Sequence, residues 1–259
     1  MPRYRKELWG VRVDVVGNVN EVRTIDIAGR SAVVIDVLCT TSTIVTALAY
    51  DASAVIAVET VPQAKQMEVK DCIRGGERFD KKITGFEVGN SPYEYMTAGI
   101  ADKTIILTTT DGTRALIKAS KGKHVFAGSF LNVQAVAAAL CELQRDVLLL
   151  CAGNQDEFAL EDGLCAGCII DELHRQSCSP LQLNDLGIVL HQAVSQCKES
   201  IPELVQGSVS GRRLEKLGRV HDISYCSQLN LLDCVPEMGE GNRMQPYRGI
   251  RGGKMFKLM

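Results

Sequence analysis

Short apolar runs recur along the chain, and between them lie longer segments whose apolar residues are spaced as on one face of a helix. The runs read as strands buried on both faces: VRVDVV (11–16), AVVID (32–36), AVIAV (54–58), TIILTT (104–109), HVFA (124–127) and DVLLLC (146–151). The intervening segments predict helices at 43–50, 61–70, 113–120, 133–143 and 160–176. This alternation predicts an α/β fold with a mainly parallel or mixed sheet that is covered by helices on both sides.

The C-terminal third has a less regular pattern. A further helical stretch spans 181–197, a break follows at 200–202, and DISYC (222–226) resembles a strand. We expect one domain over residues 1–236, either continuous or divided into two lobes near 198–209. From residue 237 to 259 the chain is rich in Gly and basic residues without clear periodicity, which predicts a loosely packed tail.

Composition and charge narrow the function classes. The net charge of −2 gives no electrostatic basis for binding nucleic acid or an anionic membrane. The N-terminus lacks the apolar segment of a secretory signal, and no apolar run is long enough to span a membrane, so a cytoplasmic protein is expected. The ten cysteines are scattered through apolar segments and read as reduced core residues rather than a disulfide framework.

Small polar residues follow several of the predicted strands. They occur at 39–43, 110–113, 128–132 and 152–154. One such turn is explained by capping of the next helix. Because the carboxyl ends of parallel strands share one sheet edge, several such turns together favour a site for a phosphate or sulfonate ligand.

Carboxylates accompany these turns. Asp36 ends a strand, Glu77 lies in the glycine-flanked segment 74–78, which we interpret as a loop, and Glu161 and Asp162 begin a helix. Acidic residues from separate loops suit Mg²⁺, which prefers oxygen ligands and shares its shell with water and substrate phosphate. The structural alternatives are that Asp36 caps a helix, that Glu77 pairs with a neighbouring arginine, and that the other two complement a helix dipole.

Several known catalytic schemes do not fit. A Cys-dependent phosphatase needs Arg six residues after its nucleophile, but Val45 occupies that position after Cys39. A haloacid-dehalogenase-type nucleophile at Asp36 would be followed two residues later by Asp, and the chain has Leu38. No histidine adjoins a serine nucleophile, which argues against acyl-transfer hydrolysis. The cysteines of CAGC (165–168) lie in a helical pattern and read as packing residues.

An ordered set of motifs resembles the 2-phosphosulfolactate phosphatase (ComB) family. The motifs are VVIDVLCTTST, GGER, FEVGNSP, ILTTTDGTRAL, GSFLN, CAGN with LEDGLCAG, and SGRRLEKLG followed by DISYC, and they extend over residues 33–236. The resemblance implies a three-layer α/β/α fold. It also implies a Mg²⁺-dependent phosphomonoester hydrolase that converts 2-phospho-3-sulfolactate to 3-sulfolactate and phosphate, a reaction of coenzyme M biosynthesis in some organisms.

A substrate with phosphate, sulfonate and carboxylate groups requires many donors and cations. The resemblance implies that Asp36, Glu161 and Asp162 hold Mg²⁺, with Glu77 as a further ligand or base. The remaining candidates for substrate binding are Asn90, Ser91, Thr109, Thr110, Arg114, Ser129, Asn132 and Arg212. The nucleophile stays open between a metal-bound water and a group that forms a covalent intermediate. Oligomeric state is also open, although homo-oligomers are common.

The chain departs from the family pattern at one motif. Where the family usually reads Asp-Val-Leu-Arg-Ala-Thr, this chain has Cys39 and Thr40 in place of Arg-Ala. A thiol cannot replace a guanidinium as an anion-binding group. Three alternatives follow: another small anionic phosphoester is the substrate, Arg114 or Arg212 compensates, or the protein is a non-catalytic anion-binding homologue.

Overall fold

A computed structural model describes residues 10–97, 99–176 and 180–249. Its strands are β1 (Val11–Val16), β2 (Ser31–Ile35), β3 (Ala54–Ala57), β4 (Cys72–Arg78), β5 (Lys81–Lys82), β6 (Thr104–Thr108), β7 (His124–Gly128), β8 (Val147–Cys151), β9 (Leu181–Leu183), β10 (Pro236–Met238) and β11 (Arg243–Pro246). Its α-helices are α1 (Thr24–Ile27), α2 (Thr40–Ala49), α3 (Val61–Gln66), α4 (Pro92–Thr97), α5 (Gly112–Ala119), α6 (Val133–Leu143), α7 (Leu160–Gln176), α8 (Asp185–Cys197), α9 (Ile201–Gly207), α10 (Val209–Lys216) and α11 (Val220–Cys226).

All the strands join one open mixed sheet in the order β5-β4-β6-β3-β11-β10-β7-β2-β8-β1-β9. One parallel group contains β7, β2, β8, β1 and β9, and a second contains β3, β6 and β4. The antiparallel hairpin of β10 and β11 lies between them and pairs with β7 on one side and β3 on the other. The predicted α/β class with a mixed sheet is confirmed.

Three local predictions are wrong. The segment 74–78 is not a loop but belongs to β4, which pairs in parallel with β6. The segment 222–226 is helical and lies in α11, and the first residues of the predicted helix 181–197 form β9.

The expected C-terminal tail also differs from the prediction. Residues 236–246 form the central hairpin of the sheet, so the chain is closely packed here. Residues 250–259 lie outside the described residues. A division into two lobes near 198–209 stays a prediction, as does a cytoplasmic location. No helix in the described ranges is long and apolar enough to cross a membrane.

The carboxyl ends of β2 and β6 meet although four strands separate them in the sheet. The Oγ1 atoms of Thr40, at the start of α2, and Thr109, just after β6, lie 3.0 Å apart. The two strands run in opposite directions by the pairing order, but neighbouring strands rotate by about 20–25° per pair. Over the five pairs from β2 to β6 the rotation reaches about 100–125°, which brings both carboxyl ends toward one side.

Helix α2 is buried along almost its whole length, hydroxyls included. The hydroxyls of Thr41, Ser42 and Thr46 donate hydrogen bonds of 2.8 Å to backbone carbonyls one turn earlier in the chain. Local bonds of this kind let small polar residues enter a core without an unsatisfied donor. The hydroxyl cluster after β2 is therefore largely structural, and it fixes the turn that carries Asp36.

Candidate active site

A cleft opens where the turns after β2, β6 and β8 meet the hairpin of β4 and β5 and the C-terminal helices. Six carboxylate residues line it: Asp36, Glu77, Asp80, Asp111, Glu161 and Asp162. Two arginines line it, Arg213 and Arg219. The other lining residues are Leu38, Cys39, Thr40, Phe79, Asn90, Thr110, Gly153, Asn154, Gln155, Ser210 and Leu214. The sheet side of the cleft is therefore acidic, and both guanidiniums come from the C-terminal helical region.

Asp36 follows the last residue of β2 and is buried at the base of the cleft. Burial raises the pKa of its carboxyl to about 7, and the nearby Asp111, Glu77 and Glu161 add to the increase, although a hydrogen bond from Thr40 opposes it. Helix α2 has no side-chain cap, and its turn instead uses the backbone carbonyl of Asp36, which accepts a bond of 2.9 Å from Thr41 N. The structure therefore favours a chemical role for this carboxylate over a capping role.

Glu161 and Asp162 begin α7 and are both buried, but their surroundings differ. Asp162 accepts hydrogen bonds from Val37 N (2.9 Å) and Gly153 N (3.1 Å), so it joins the turns after β2 and β8. Burial raises the pKa of Asp162 well above its ordinary range, and Asp36 and Glu161 raise it further. By contrast, Glu161 Oε2 is buried without a hydrogen-bond partner.

Glu77 near the end of β4 connects two other parts of the cleft. Its Oε1 accepts hydrogen bonds from Thr110 N (2.8 Å) and the Thr110 hydroxyl (3.0 Å). Its Oε2 accepts a bond of 2.9 Å from Asp80 N. These donors hold the carboxylate in one orientation and link the turn after β6 to the β4–β5 hairpin.

Neutral polar groups complete the acidic side. The Asn90 amide donates to Thr40 Oγ1 at 3.5 Å, and the Thr40 hydroxyl donates to Thr109 Oγ1. Asn90 Oδ1 is buried without a partner, as Glu161 Oε2 is. Two unpartnered buried acceptors in one cleft are unusual because each loses its hydration without compensation. They are suitable acceptors for a bound cation or a donor group of a ligand.

Carboxylates also hold both arginines of the cleft. Arg213 Nε lies 2.6 Å from Asp80 Oδ2, and its Nη1 donates to Asn154 Oδ1 at 2.9 Å. Arg219 Nε donates to Asp222 Oδ2 at 2.6 Å, and Asp222 is fully buried. Both guanidiniums are thus oriented in advance, which lowers the entropic cost of binding an anion.

Comparison with known proteins agrees with a phosphate-ester site of this kind. The profile of the family described as 2-phosphosulpholactate phosphatase matches residues 18–241. The chain belongs to this family. A Thermotoga maritima protein is 41% identical over 215 residues, which are 82% of this chain and 90% of that protein. A Symbiobacterium thermophilum protein is 38% identical over 220 residues, which are 83% of this chain and 94% of that protein. Both are named "Probable 2-phosphosulfolactate phosphatase". The resemblance and the phosphatase class expected from the motifs are confirmed.

Six of the residues predicted from the family motifs line the cleft: Asp36, Glu77, Asn90, Thr110, Glu161 and Asp162. The other six do not: Ser91, Thr109, Arg114, Ser129, Asn132 and Arg212. Ser91 and Thr109 lie directly behind the lining. Ser91 donates to Asp222 Oδ1 at 2.5 Å and so orients the partner of Arg219, and Thr109 accepts from Thr40.

The remaining four have other contacts in the structure. Arg114 pairs with Asp156 at 2.6 Å and with Asp111 at 3.3 Å. Asn132 accepts from Ser129 N and donates to two backbone carbonyls, which fixes the turn after β7. Arg212 is exposed and donates to the carbonyl of Gly207. Ser129, Asn132 and Arg212 therefore do not line the cleft, and Arg114 reaches its lining only through Asp111. A role of these four residues in substrate binding stays a prediction.

Sequence reasoning missed Arg213, Arg219, Asp80 and Asp111 as cleft residues. Asp111 follows Thr110 directly and could have been included from the same polar turn. Arg213 and Arg219 do not follow a strand, so the search for polar residues at strand ends did not identify them. Successive helical residues point about 100° apart, so the choice between Arg212 and Arg213 required the packing of α10.

Cys39, at the departure from the family pattern, also lines the cleft and is buried. A hydrogen bond with Cys226 raises the pKa of the Cys39 thiol well above its usual value, and burial raises it further. The thiol is therefore neutral and contributes no charge to the cleft. Arg219 lines the same cleft and supplies a cation close to this position.

Among the residues that the structure describes, no three Asp, Glu, His or Cys side chains form a ready metal site. Mg²⁺ does not require one, because it is commonly held by one or two carboxylates together with water and substrate phosphate. The unpartnered Glu161 Oε2, the unpartnered Asn90 Oδ1 and the crowding of Asp36 by other acids fit a small oxygen-coordinated cation. The donor set is thus compatible with Mg²⁺.

Proposed function

We propose that this protein is a Mg²⁺-dependent phosphomonoesterase that hydrolyses 2-phospho-3-sulfolactate to 3-sulfolactate and phosphate. Membership of the phosphatase family and the names of the two relatives support the reaction and the substrate. The observation that carries the proposal is that carboxylates from several strand ends and two oriented arginines from the C-terminal helical region line the same cleft. Such a cleft suits a multiply charged anion that binds together with a cation.

In this proposal Asp36 and Glu161 hold the metal, and Asp162 positions them. Asp162 is the less available ligand, because both its oxygens accept backbone hydrogen bonds. When bound, Mg²⁺ would neutralise phosphoryl charge and act as a Lewis acid. The cation would also reduce the mutual repulsion of the buried carboxylates, because a buried negative charge without a positive partner is unfavourable.

The other residues have supporting roles in the proposal. Glu77 keeps Thr110 and Asp80 in place through three hydrogen bonds of 2.8 to 3.0 Å. One N–H of the Asn90 amide is used on Thr40, and the other can donate to a phosphoryl oxygen in the cleft. Fixed polar groups of this kind stabilise developing charge without reorganisation during the reaction.

The test is phosphate release by the purified protein from 2-phosphosulfolactate and from a panel of phosphorylated three-carbon acids, with Mg²⁺ and again with EDTA. The proposal predicts release that requires the metal and prefers the sulfonate. Selective activity on another ester would redirect the substrate and would be consistent with Cys39 as a specificity change. No release from any ester, together with binding of 3-sulfolactate, would identify a non-catalytic anion-binding homologue instead.

A further inference from the structure

The two cleft arginines define a subsite that the acids cannot supply. We infer that Arg213 and Arg219 together bind the sulfonate of the substrate and so select esters that carry a second strong oxyanion. The inference rests on the proposed function and extends it to substrate selection. Arg213 belongs to α10, and Arg219 lies in the turn before α11, so two separate elements contribute to the subsite.

Donor groups on both guanidiniums remain available. Arg213 has five N–H groups and uses three of them on Asp80 and Asn154. Arg219 is held by Asp222, whose Oδ2 lies 2.6 Å from both Nε and Nη2, so these contacts use two of its five N–H groups. The N–H groups that remain on each guanidinium can donate to an anion in the cleft, because both side chains line it.

The distribution of charge in the cleft predicts where the phosphoryl group and the sulfonate of the substrate bind. The phosphoryl group needs the cation, which the carboxylate side attracts. A second anion on that side would meet Asp36, Glu161 and Asp162, so repulsion directs it to the arginines. A tetrahedral sulfonate has three acceptor oxygens and can accept bonds from two guanidiniums that approach from different directions, whereas a planar carboxylate is best matched by a single guanidinium.

Other arginines near the cleft are engaged elsewhere. Arg78 donates to the carbonyls of Glu77 and Glu59 and to the Thr108 hydroxyl. Arg114 pairs with Asp111 and Asp156, as described above. Neither lines the cleft. Within the described residues, Arg213 and Arg219 are therefore the guanidiniums in a position to contact a bound anion.

The test compares two adjacent arginines on two substrates. Arg213→Gln removes a proposed sulfonate contact, and Arg212→Gln makes the same chemical change one residue earlier on the same helix, outside the cleft. The substrates are 2-phosphosulfolactate and 2-phospholactate, which has a methyl group in place of the sulfonate-bearing carbon. For Arg213→Gln we expect kcat/KM to fall about 30-fold or more with the sulfonate ester and less than about threefold with 2-phospholactate. Arg212→Gln should change neither value.

Each other outcome has a defined meaning. An equal loss on both esters would show that Arg213 acts on the phosphoryl group or on folding, and would overturn the inference. The same is true if Arg212→Gln causes the selective loss. Equal kcat/KM of the unmodified protein on both esters would overturn the sulfonate subsite and leave the phosphatase function standing. If Arg213→Gln does not fold, Arg213→Lys takes its place in the comparison, because lysine keeps a positive charge beside Asp80. We then expect an intermediate selective loss, since lysine cannot form the two parallel hydrogen bonds of a guanidinium.

Failure of the proposed function can be separated from failure of the subsite. If the unmodified protein hydrolyses neither ester, the phosphatase proposal fails, and 3-sulfolactate is then tested for thermal stabilisation. Stabilisation that is retained in Arg212→Gln and lost in Arg213→Gln would support the subsite without turnover. No stabilisation of the unmodified protein would overturn it.

Discussion

Replacing Asp36 by Asn should make the metal-free protein more stable at neutral and alkaline pH while it removes activity. Asp36 is buried, and its pKa is raised to about 7 from an ordinary value of 3.8, mainly by loss of hydration. The folded state therefore binds this proton more tightly than the unfolded state does. The associated stabilisation is complete below about pH 4 and is lost as the pH rises through 7.

The size of the effect follows from the shift. About three pKa units at about 1.4 kcal/mol each give an upper value of about 4 kcal/mol between pH 4 and 8. For a chain of this size each kcal/mol changes the melting temperature by about 2–4 °C, so the difference between the two proteins should change by as much as about 8–16 °C over this range. Asn has a similar shape but carries no charge, and it avoids this loss.

The measurement is thermal and urea unfolding of both proteins in EDTA from pH 4 to 8. The unmodified protein should lose stability relative to Asp36→Asn as the pH rises, and Mg²⁺ should restore stability only to the unmodified protein. Phosphate release by the variant should fall at least about 100-fold, a loss of about 2.7 kcal/mol or more in transition-state stabilisation. A pH-independent stability difference, or retained activity, would refute the reasoning and leave Asp36 as a structural residue.

Three further perturbations test the cleft. Glu161→Gln should abolish metal-dependent phosphate release with no loss of melting temperature, because its Oε2 has no partner to lose; a large drop in stability would contradict this. Gly112→Ala should lower kcat, because a Cβ there would overlap Asp36 Oδ2 and Thr40, whereas Gly207→Ala meets nothing within 4 Å and serves as the control in the same assay. Cys39→Arg should reduce the free energy of unfolding by about 1–3 kcal/mol in urea titrations through overpacking of a buried site, with no gain in kcat/KM. A gain would indicate that the lost cation limits activity.

The class of fold and the acidic residues of the cleft follow from the order of residues along the chain. Strand β1 and helices α6 and α7 have the bounds that the hydrophobic pattern predicts, because burial on both faces of a sheet requires continuous apolar runs. Asp36, Glu161 and Asp162 were identified because they lie at strand ends or at the start of a helix, where local order along the chain already indicates the edge of the sheet.

Features that depend on which strands pair with each other became visible only in the folded chain. Strand β4 has no β-branched run, and Gly76 is required there because a Cβ would overlap the Thr108 carbonyl of β6. The hairpin 236–246 has no clear periodicity, yet it pairs on both sides and occupies the middle of the sheet.

The basic side of the cleft also depended on the fold. Arg212 and Arg213 are equivalent as sequence, but a helix turns by about 100° between successive residues, so packing selects one for the cleft and leaves the other in solvent. Site residues that directly follow a strand can be predicted from the sequence, because the position of the strand already places them at the edge of the sheet. Residues contributed by a distant helix cannot, because their direction is set by the long-range contacts of that helix.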